Sequence, residues 1–256
     1  MAMTQVYYHI LKQAFGQDML PQSASILEFG EANLYKDVTI EEITNDINAL
    51  VDNPSLRDEL IAELHKNPHP LQSFDAAKVV YRMLFSATRL AAIDLHGTES
   101  ALRLNLNEPI DIDGPFDVTI NNGTAEHVFN IGQAFKTMHE QTAVGGVMIH
   151  EAPFTGWYNH GFYNLQPTLF YDLANANGYG IIAYFCCQHM PPQIAQIGSP
   201  QVLLEHVERN EIPENAVHII LLRKNADEPF VYPMQGVYSG NLDEKQQLAW
   251  RNLRAN

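Results

Sequence analysis

The sequence predicts an α/β fold: a seven-stranded, mainly parallel sheet with helices on both faces and a helical insertion after the first strand. Apolar runs of strand length alternate with helical patterns along most of the chain. Several runs are continuously apolar or rich in β-branched residues, as is usual for strands covered on both faces. Strands separated by helices form βαβ units, whose strands run parallel. The 256 residues, of which 46% are hydrophobic, suffice for one large domain covering residues 1–256.

The expected strands are short apolar segments separated by turns or helices. In chain order they cover residues 26–30, 90–95, 101–106, 116–121, 145–151, 180–187 and 217–223. The last two are joined by an irregular, Pro-containing stretch and a short helix, "SPQVLLEHVERN". With such a connection they can pair antiparallel at one edge of the sheet.

About sixty residues separate the first two strands, although a crossover needs only about a dozen. Thr39 and Glu42 form a capping box before one helix. Asn53 and Pro54 fit the N-cap and first position of the next helix. We therefore expect a helical insertion at approximately residues 39–70, beside the ligand-binding edge of the sheet, where it would act as a lid over substrate.

The charge balance bears on the class of partner. Lys and Arg total 15 against 30 for Asp and Glu, giving a formal net charge of -15. So acidic a surface repels nucleic acid and anionic lipid. The N-terminus lacks the pattern of a signal peptide, and no apolar run reaches membrane-spanning length. The adjacent Cys186 and Cys187 point to opposite faces of a strand, so we expect reduced thiols in a cytoplasmic protein. The expected partner is a small molecule.

The first strand ends in "ILEFGEANLYKD", which begins like a nucleotide-binding loop and then departs from that pattern. Glu28 and Gly30 stand where such a loop begins, but residues 31–34 contain no glycine. The segment is either a cofactor site with fewer glycines, an inactive one, or an ordinary turn. Glycine matters where backbone passes close to a ligand or adopts positive φ, and Asn33 tolerates that conformation better than most residues.

The second strand ends in "LAAIDLHGTES". Asp94 follows its last apolar residue, at the carboxyl edge of a parallel strand, where open α/β sheets bind ligands. A carboxylate there can accept hydrogen bonds from both hydroxyls of a ribose. Alternatively, Asp94 caps the following turn with its own side chain.

The fourth strand leads into "NNGTAEHVFN". We expect a helix to begin near Thr124, which places Glu126 and His127 in its first turn at the same edge. An acidic residue at this position also complements the helix dipole. His127 is either a reactive group or a polar residue that fills the mouth of the cleft.

The chain resembles class I S-adenosylmethionine-dependent methyltransferases, and more narrowly small-molecule methyltransferases with a "GTxEHVFN" motif and a reduced glycine loop. The resemblance covers roughly residues 25–187 and rests on the blocks "GTAEHVFN" and "NHGFYNLQPTLFYDL". It implies a Rossmann-like fold with S-adenosylmethionine as cofactor. Gly30 would let the loop approach the methionine moiety, Asp94 would hold the ribose, and Asn105 or Leu106 would border the adenine. The implied cofactor site comprises Glu28, Gly30, Asn33, Asp94, Leu95, Asn105, Leu106 and Asn122.

The sulfonium cofactor carries no pyrophosphate, so it demands fewer backbone amides from the loop than a dinucleotide does. Methyl transfer requires alignment of the reactants and removal of a proton from the nucleophile. His127 is the first candidate for this base, because an unperturbed imidazole titrates near about 6.5. Glu126 and His160 are the other catalytic candidates.

The mouth of the cleft supplies candidates for substrate binding. His150 and Glu151 end the fifth strand, and an aromatic-rich loop follows at approximately residues 152–166. The expected substrate-binding residues are His150, Glu151, Trp157, Tyr158, Asn159 and Tyr163. Packing of the loop on the sheet explains each loop residue equally well. No metal is expected, because His150 and His160 show no HxxxH or HxD spacing.

The sequence thus predicts S-adenosylmethionine-dependent methyl transfer to an oxygen or nitrogen of a small polar metabolite, in specialised metabolism. One alternative is a protein that binds ligand on this fold without catalysis. A second is an NAD-dependent oxidoreductase, which Glu31 disfavours because its charge would repel the cofactor phosphates.

Overall fold

The computed structural model describes residues 2–66, 74–239 and 242–246. Seven strands form one sheet, and two short strands form a second. In chain order the strands are β1 (Ala2–Met3), β2 (Ser25–Phe29), β3 (Asn33–Leu34), β4 (Arg89–Ile93), β5 (Phe116–Asn122), β6 (Thr142–Pro153), β7 (Gly180–Gln188), β8 (Gln193–Gln196) and β9 (Val217–Arg223). The large sheet has the order β4-β2-β5-β6-β9-β7-β8, and β1 pairs with β3.

Five of the seven strands run in the same direction. β4, β2, β5 and β6 are parallel neighbours. β9 is antiparallel to both β6 and β7, so β7 is the fifth strand that runs in the common direction. The antiparallel pairing of β7 with β9 agrees with the prediction, but β9 lies between β6 and β7 and not at an edge. The edge is formed by β8, which the sequence did not predict.

The strand predicted at residues 101–106 is wrong. Leu102 makes only an isolated bridge with Ile93, and the segment is otherwise a loop. Its polar side chains bind the local backbone: Arg103 donates to the carbonyl oxygens of Gly97 and Thr98, each at 2.8 Å. These bonds hold the segment in a turn over the end of β4, so it does not extend the sheet.

The helices cover both faces of the sheet. They are α1 (Gln5–Gly16), α2 (Ile40–Leu50), α3 (Pro54–Leu64), α4 (Phe74–Phe85), α5 (Ile131–Glu140), α6 (Pro167–Asn177), α7 (Pro200–Glu208) and α8 (Gly236–Ser239). Apolar residues of α1 to α4 pack in a core on one face of the sheet, and those of α5 and α6 pack on the other. Cys187 lies in the first core and Cys186 in the second, and both are free thiols, as predicted.

The two helices of the predicted insertion begin where their capping residues indicate. Thr39 Oγ1 accepts a hydrogen bond from the Glu42 N–H at 3.1 Å. Asn53 Oδ1 accepts from the N–H groups of Ser55 and Leu56. Buried residues of α2 and α3 belong to the same core as α1 and α4. Residues 67–70, the end of the predicted insertion, lie outside the described residues, and the lid role stays a prediction.

The helix expected near Thr124 begins later than predicted. Ala125–His127 form a single 3₁₀ turn, and α5 starts at Ile131 with Asn130 as its N-cap. Asn121 Oδ1 accepts hydrogen bonds from the Thr124 and Ala125 N–H groups at 3.2 and 2.8 Å. These two side-chain hydrogen bonds take the place of backbone hydrogen bonds of a helix, so Glu126 and His127 project from a tight turn. Among the described residues, no helix is long and apolar enough to cross a membrane.

Candidate active site

One position in the loop after β2 favours glycine. Gly30 has φ +84° and donates its N–H to the Ile93 carbonyl at 2.8 Å, which joins the ends of β2 and β4. Glu28 is buried below it and accepts from the Tyr81 hydroxyl at 2.9 Å and the Ala32 N–H at 3.1 Å. Burial raises the pKa of Glu28 to about 8, so this carboxyl is mostly neutral at neutral pH.

Glu31 occupies the space beside this loop. Its side chain is 1% exposed, and Oε1 lies 2.8 Å from Lys78 Nζ. The carboxylate also accepts from the Thr98 N–H at 2.5 Å and from the Thr98 hydroxyl at 2.9 Å. A Cβ on Gly97 would lie 2.5 Å from Glu31 Oε2, so Gly97 leaves room for this carboxylate. Glu31 thus ties the loop after β2 to the loop after β4.

Asp94 holds the two loops together from the other side. Its Oδ2 accepts from the Glu31 N–H at 2.8 Å, and Oδ1 accepts from the His96 N–H at 2.7 Å. The structure therefore shows the turn-capping role of Asp94. Each carboxylate oxygen has a second lone pair, and the side chain is partly exposed, so it can accept further hydrogen bonds. The neighbouring Leu95 is 63% exposed and presents an apolar surface beside the end of β4.

Asn105 and Leu106 were expected near an adenine ring. Asn105 Oδ1 accepts from the Asn107 N–H within its own turn, and Leu106 is buried. Phe29, Leu106 and Phe135 line a space that has no room for a water molecule. Leu106 is therefore part of the core in this structure, whereas Asn105 is exposed.

The N-terminal strand β1 covers the other two expected cofactor residues. Ala2 pairs with Asn33, and Met3 pairs with Leu34. Asn122 Nδ2 donates to the Ala2 carbonyl oxygen at 3.2 Å. Asn33 and Asn122 thus both contact residues 2–3, which lie across the ends of β2 and β5.

Glu126, His127 and His160 come together, although 33 residues separate the second from the third. Glu126 Oε1 lies 3.6 Å from His160 Nε2 and 3.9 Å from His127 Nε2. The rings of His127 and His160 have centroids 4.8 Å apart. The Phe162 N–H donates to the Glu126 carbonyl at 2.8 Å, which fixes the loop after β6 to the 3₁₀ turn.

The electrostatics of this cluster follow from burial. Glu126 is fully buried, and neither carboxylate oxygen has a hydrogen-bond partner among the described residues. Desolvation, reinforced by the charge of Glu151, raises the pKa of Glu126 to about 8. Desolvation and the nearby His160 lower the pKa of His127, so His127 is neutral at neutral pH and can accept a proton.

His150 and Glu151 do not point to the same place, because consecutive residues of a strand face opposite sides of the sheet. His150 is buried with its ring between Phe135 and Phe170, at centroid distances of 5.4 and 5.5 Å. Burial lowers the pKa of His150 to about 3. Glu151, on the other face, lies 2.9 Å from His189 Nε2. The placement of His150 favours a core role, whereas Glu151 lies close enough to Glu126 for its charge to act on that carboxyl.

The loop of residues 152–166 combines packed and exposed side chains. Trp157 donates its indole N–H to the Ala216 carbonyl at 3.0 Å, and Tyr163 donates its hydroxyl to the Phe129 carbonyl at 2.8 Å. Tyr158 and Asn159 are exposed next to His160. Phe162 is also exposed, at 65%, so these three side chains are among the loop residues free to meet a ligand in solution.

Sequence reasoning missed three residues that position the site. Asn121 holds the 3₁₀ turn, and Lys78 and Thr98 bind Glu31. The "NNG" run of residues 121–123 at a strand end is a local turn signal for the first. No pattern in the sequence marks the other two, because their partner lies 47 and 67 residues away.

Comparisons with known proteins bear on the fold. No protein-family model and no curated protein sequence matches the chain. The N-methyltransferase NodS from Bradyrhizobium japonicum is 13% identical with TM-score 0.44, over 86% of this chain and 94% of that one. A SAM-dependent methyltransferase from Archaeoglobus fulgidus is 10% identical with TM-score 0.45, over 84% and 93%. The 1,6-didemethyltoxoflavin-N1-methyltransferase from Burkholderia thailandensis is 11% identical with TM-score 0.37, over 86% and 76%. Likenesses at this level do not identify a reaction or a ligand.

Proposed function

We propose that this protein transfers a methyl group from S-adenosylmethionine to an oxygen or nitrogen of a small polar metabolite, in specialised metabolism. The observation that carries the proposal is the junction of Gly30, Asp94 and Leu95 at the ends of β2 and β4. The Thr124 hydroxyl donates to the Phe29 carbonyl, so the turn that carries Glu126 and His127 begins at the same place. This contact supports a nucleoside site next to a proton acceptor.

The residues at this junction suit the nucleoside part of the cofactor. The remaining lone pairs of Asp94 can accept both ribose hydroxyls, and the exposed Leu95 offers an apolar surface to adenine. Gly30, with its positive φ and no side chain, lets a ligand approach the backbone closely. The amino-acid part would lie beside Gly30, on the side toward Glu28, Asn33 and Asn122. When bound, the cofactor supplies a methyl group already activated by the positive sulfur.

The chain's own contribution is to orient the acceptor and to take its proton. His127 is neutral and partly exposed, so it can accept that proton, and Glu126 and His160 lie next to it. Tyr158 and Asn159 are among the exposed loop residues available to a substrate. Alignment of the two reactants is the larger effect, at about 7–11 kcal/mol for well-oriented groups.

Calorimetric titration with S-adenosylmethionine, S-adenosylhomocysteine and NAD tests the proposal. We expect both sulfur nucleosides to bind and NAD not to bind. Asp94→Ala should weaken binding about 10–100-fold, because two charge-assisted hydrogen bonds are lost and water replaces them in part. Asp111→Ala, an exposed carboxylate on a neighbouring loop, is the matched control and should change nothing. Thermal unfolding of each variant shows whether the lost contacts to Glu31 and His96 also destabilise the fold.

Failure to bind either sulfur nucleoside would overturn the proposal, and an unchanged affinity of Asp94→Ala would reduce Asp94 to a turn residue. NAD binding would favour the oxidoreductase. A mass-shift screen with a panel of small polar acceptors then tests turnover, which His127→Ala should lower while cofactor affinity stays the same. Cofactor binding without methyl transfer to the panel would favour a non-catalytic binding protein.

A further inference from the structure

The cluster of Glu126, His127 and His160 has an unexplained feature: a buried carboxylate without a partner. Glu126 is 0% exposed, and neither Oε1 nor Oε2 has a hydrogen-bond partner among the described residues. A buried, unpaired carboxyl group is costly, and proteins normally pair such groups with donors or with a metal. The two imidazole nitrogens nearest to it lie at 3.6 and 3.9 Å, beyond hydrogen-bonding distance.

The backbone holds this arrangement in place. The Phe162 N–H donates to the Glu126 carbonyl at 2.8 Å. A Cβ on Gly161 would lie only 2.9 Å from that carbonyl oxygen and 3.1 Å from Glu126 Cγ, so glycine permits the close approach. The loop carrying His160 is therefore fixed against the turn carrying Glu126 and His127.

We propose that Glu126, His127 and His160 bind one divalent transition-metal ion of the Zn²⁺ class. One carboxylate oxygen and two imidazole nitrogens, all within 4.8 Å of one another, are the donor set of a three-ligand zinc site. Imidazole donors favour Zn²⁺ and its neighbours in the first transition row over Mg²⁺ and Ca²⁺, which prefer oxygen ligands. The sequence expectation of no metal relied on spacing along the chain, which does not reveal ligands that come from two loops.

The donor atoms lie within 4.8 Å of one another, so the longest separation must shorten by up to about 1.4 Å to fit one tetrahedral ion. Three ligands about 2.1 Å from a tetrahedral ion lie about 3.4 Å from one another. The two separations from Glu126 Oε1 exceed this value by a few tenths of an ångström. The His127 and His160 side chains are 43% and 39% exposed, so their rings can rotate to close the remaining gap.

The exposed side of the histidines leaves the fourth position of such an ion open to water or to a substrate oxygen. A metal ion there would lower the pKa of a substrate hydroxyl. This catalytic role rests on the proposed function, whereas metal binding at the site does not depend on it. In the metal-loaded protein His127 is a ligand and not a base, so the two roles are mutually exclusive.

Titration of the full-length, chelator-treated protein with Zn²⁺ alone, followed by calorimetry, tests the site. Co²⁺ titration adds a spectroscopic readout, because tetrahedral Co²⁺ absorbs visible light far more strongly than the aqueous ion. We expect one ion per chain. Glu126→Gln, His127→Ala and His160→Ala should each weaken binding at least tenfold. His206→Ala is the matched control, since His206 pairs with Glu211 at 2.8 Å on the surface without a second histidine. It should leave the affinity unchanged.

Absence of Zn²⁺ binding to the wild-type protein would overturn the proposal. Wild-type Zn²⁺ affinity in both His127→Ala and His160→Ala would also overturn it. These two partly exposed positions carry the test even if Glu126→Gln does not fold, which circular dichroism would show. Titration of S-adenosylmethionine in the presence of chelator separates the two proposals. Zinc binding without cofactor binding refutes the proposed function alone, and cofactor binding without zinc binding refutes the metal site alone.

Discussion

Replacing Glu28 by Gln should stabilise the protein at neutral and alkaline pH. The carboxyl is buried, and its Oε1 accepts hydrogen bonds from Tyr81 and Ala32. Desolvation raises its pKa from 4.5 to about 8, so the folded state favours the neutral form. Gln has nearly the same shape, keeps an acceptor oxygen for both donors and carries no charge.

The magnitude follows from proton linkage. Between pH 4.5 and 8 the folded protein binds this proton more tightly than the unfolded chain does, so the stabilisation is complete below pH 4.5 and is lost as pH rises to 8. Each pH unit in this window lowers the free energy of unfolding by about 1.4 kcal/mol. Glu28→Gln should therefore be more stable than the wild type by about 3 kcal/mol at pH 7 and by under about 1 kcal/mol at pH 5. The pKa of Glu126 is raised similarly, so the variant removes the contribution of Glu28 to the decline and leaves that of Glu126.

Urea unfolding followed by circular dichroism at pH 5, 7 and 8.5 measures this effect. Glu99→Gln, which changes an exposed carboxyl, is the control and should alter stability by less than about 0.5 kcal/mol at each pH. The reasoning fails if the difference between Glu28→Gln and the wild type does not grow with pH. That result would mean that the folded protein holds Glu28 ionised.

Three further changes test other parts of the structure. His150→Leu should lose less stability in acid than the wild type, because the depressed pKa of His150 costs the wild type stability from pH 6.5 down to about 3. Between pH 6.5 and 4.5 the free energy of urea unfolding should fall by about 2 kcal/mol more in the wild type than in the variant, and parallel profiles would contradict this. Glu31→Gln should lower the melting temperature by removing the ion pair between Glu31 and Lys78. In a double-mutant cycle, the double variant Glu31→Gln/Lys78→Met should regain most of this loss, and additive effects of the two substitutions would refute the coupling. Gly161→Ala should weaken Zn²⁺ binding at least tenfold, because the new Cβ would push against the Glu126 carbonyl and separate the two loops, and an unchanged affinity would show that the loop adapts.

Features set by neighbours in sequence were predictable. The run "VHIILLR" is apolar on both faces, and β9 covers the predicted residues 217–223. Thr39 and Asn53 cap helices through bonds to residues two or three positions ahead, so their role depends on local chemistry alone. The parallel pairings of β2 with β4 and of β5 with β6 likewise follow from the helices that connect each pair.

Features set by distant partners were not predictable. "ALRLNL" alternates apolar and polar residues as an edge strand does, but Arg103 turns its guanidinium onto nearby carbonyls and the segment stays a loop. The pairing of Glu31 with Lys78 and Thr98 depends on the course of two loops. The same is true of His160 and Glu126, whose approach requires the loop after β6 to fold back onto the turn after β5.

The position of β9 has a consequence for how the protein is made. This strand is the last of the sheet to emerge from the ribosome, yet it pairs with β6 on one side and β7 on the other. Until residues 217–223 are synthesised, both neighbours carry an unpaired edge, which is a template for association with other chains. A premature stop or a proteolytic cut before residue 217 would therefore not give a smaller soluble sheet but one split at its centre, and we expect such fragments to aggregate.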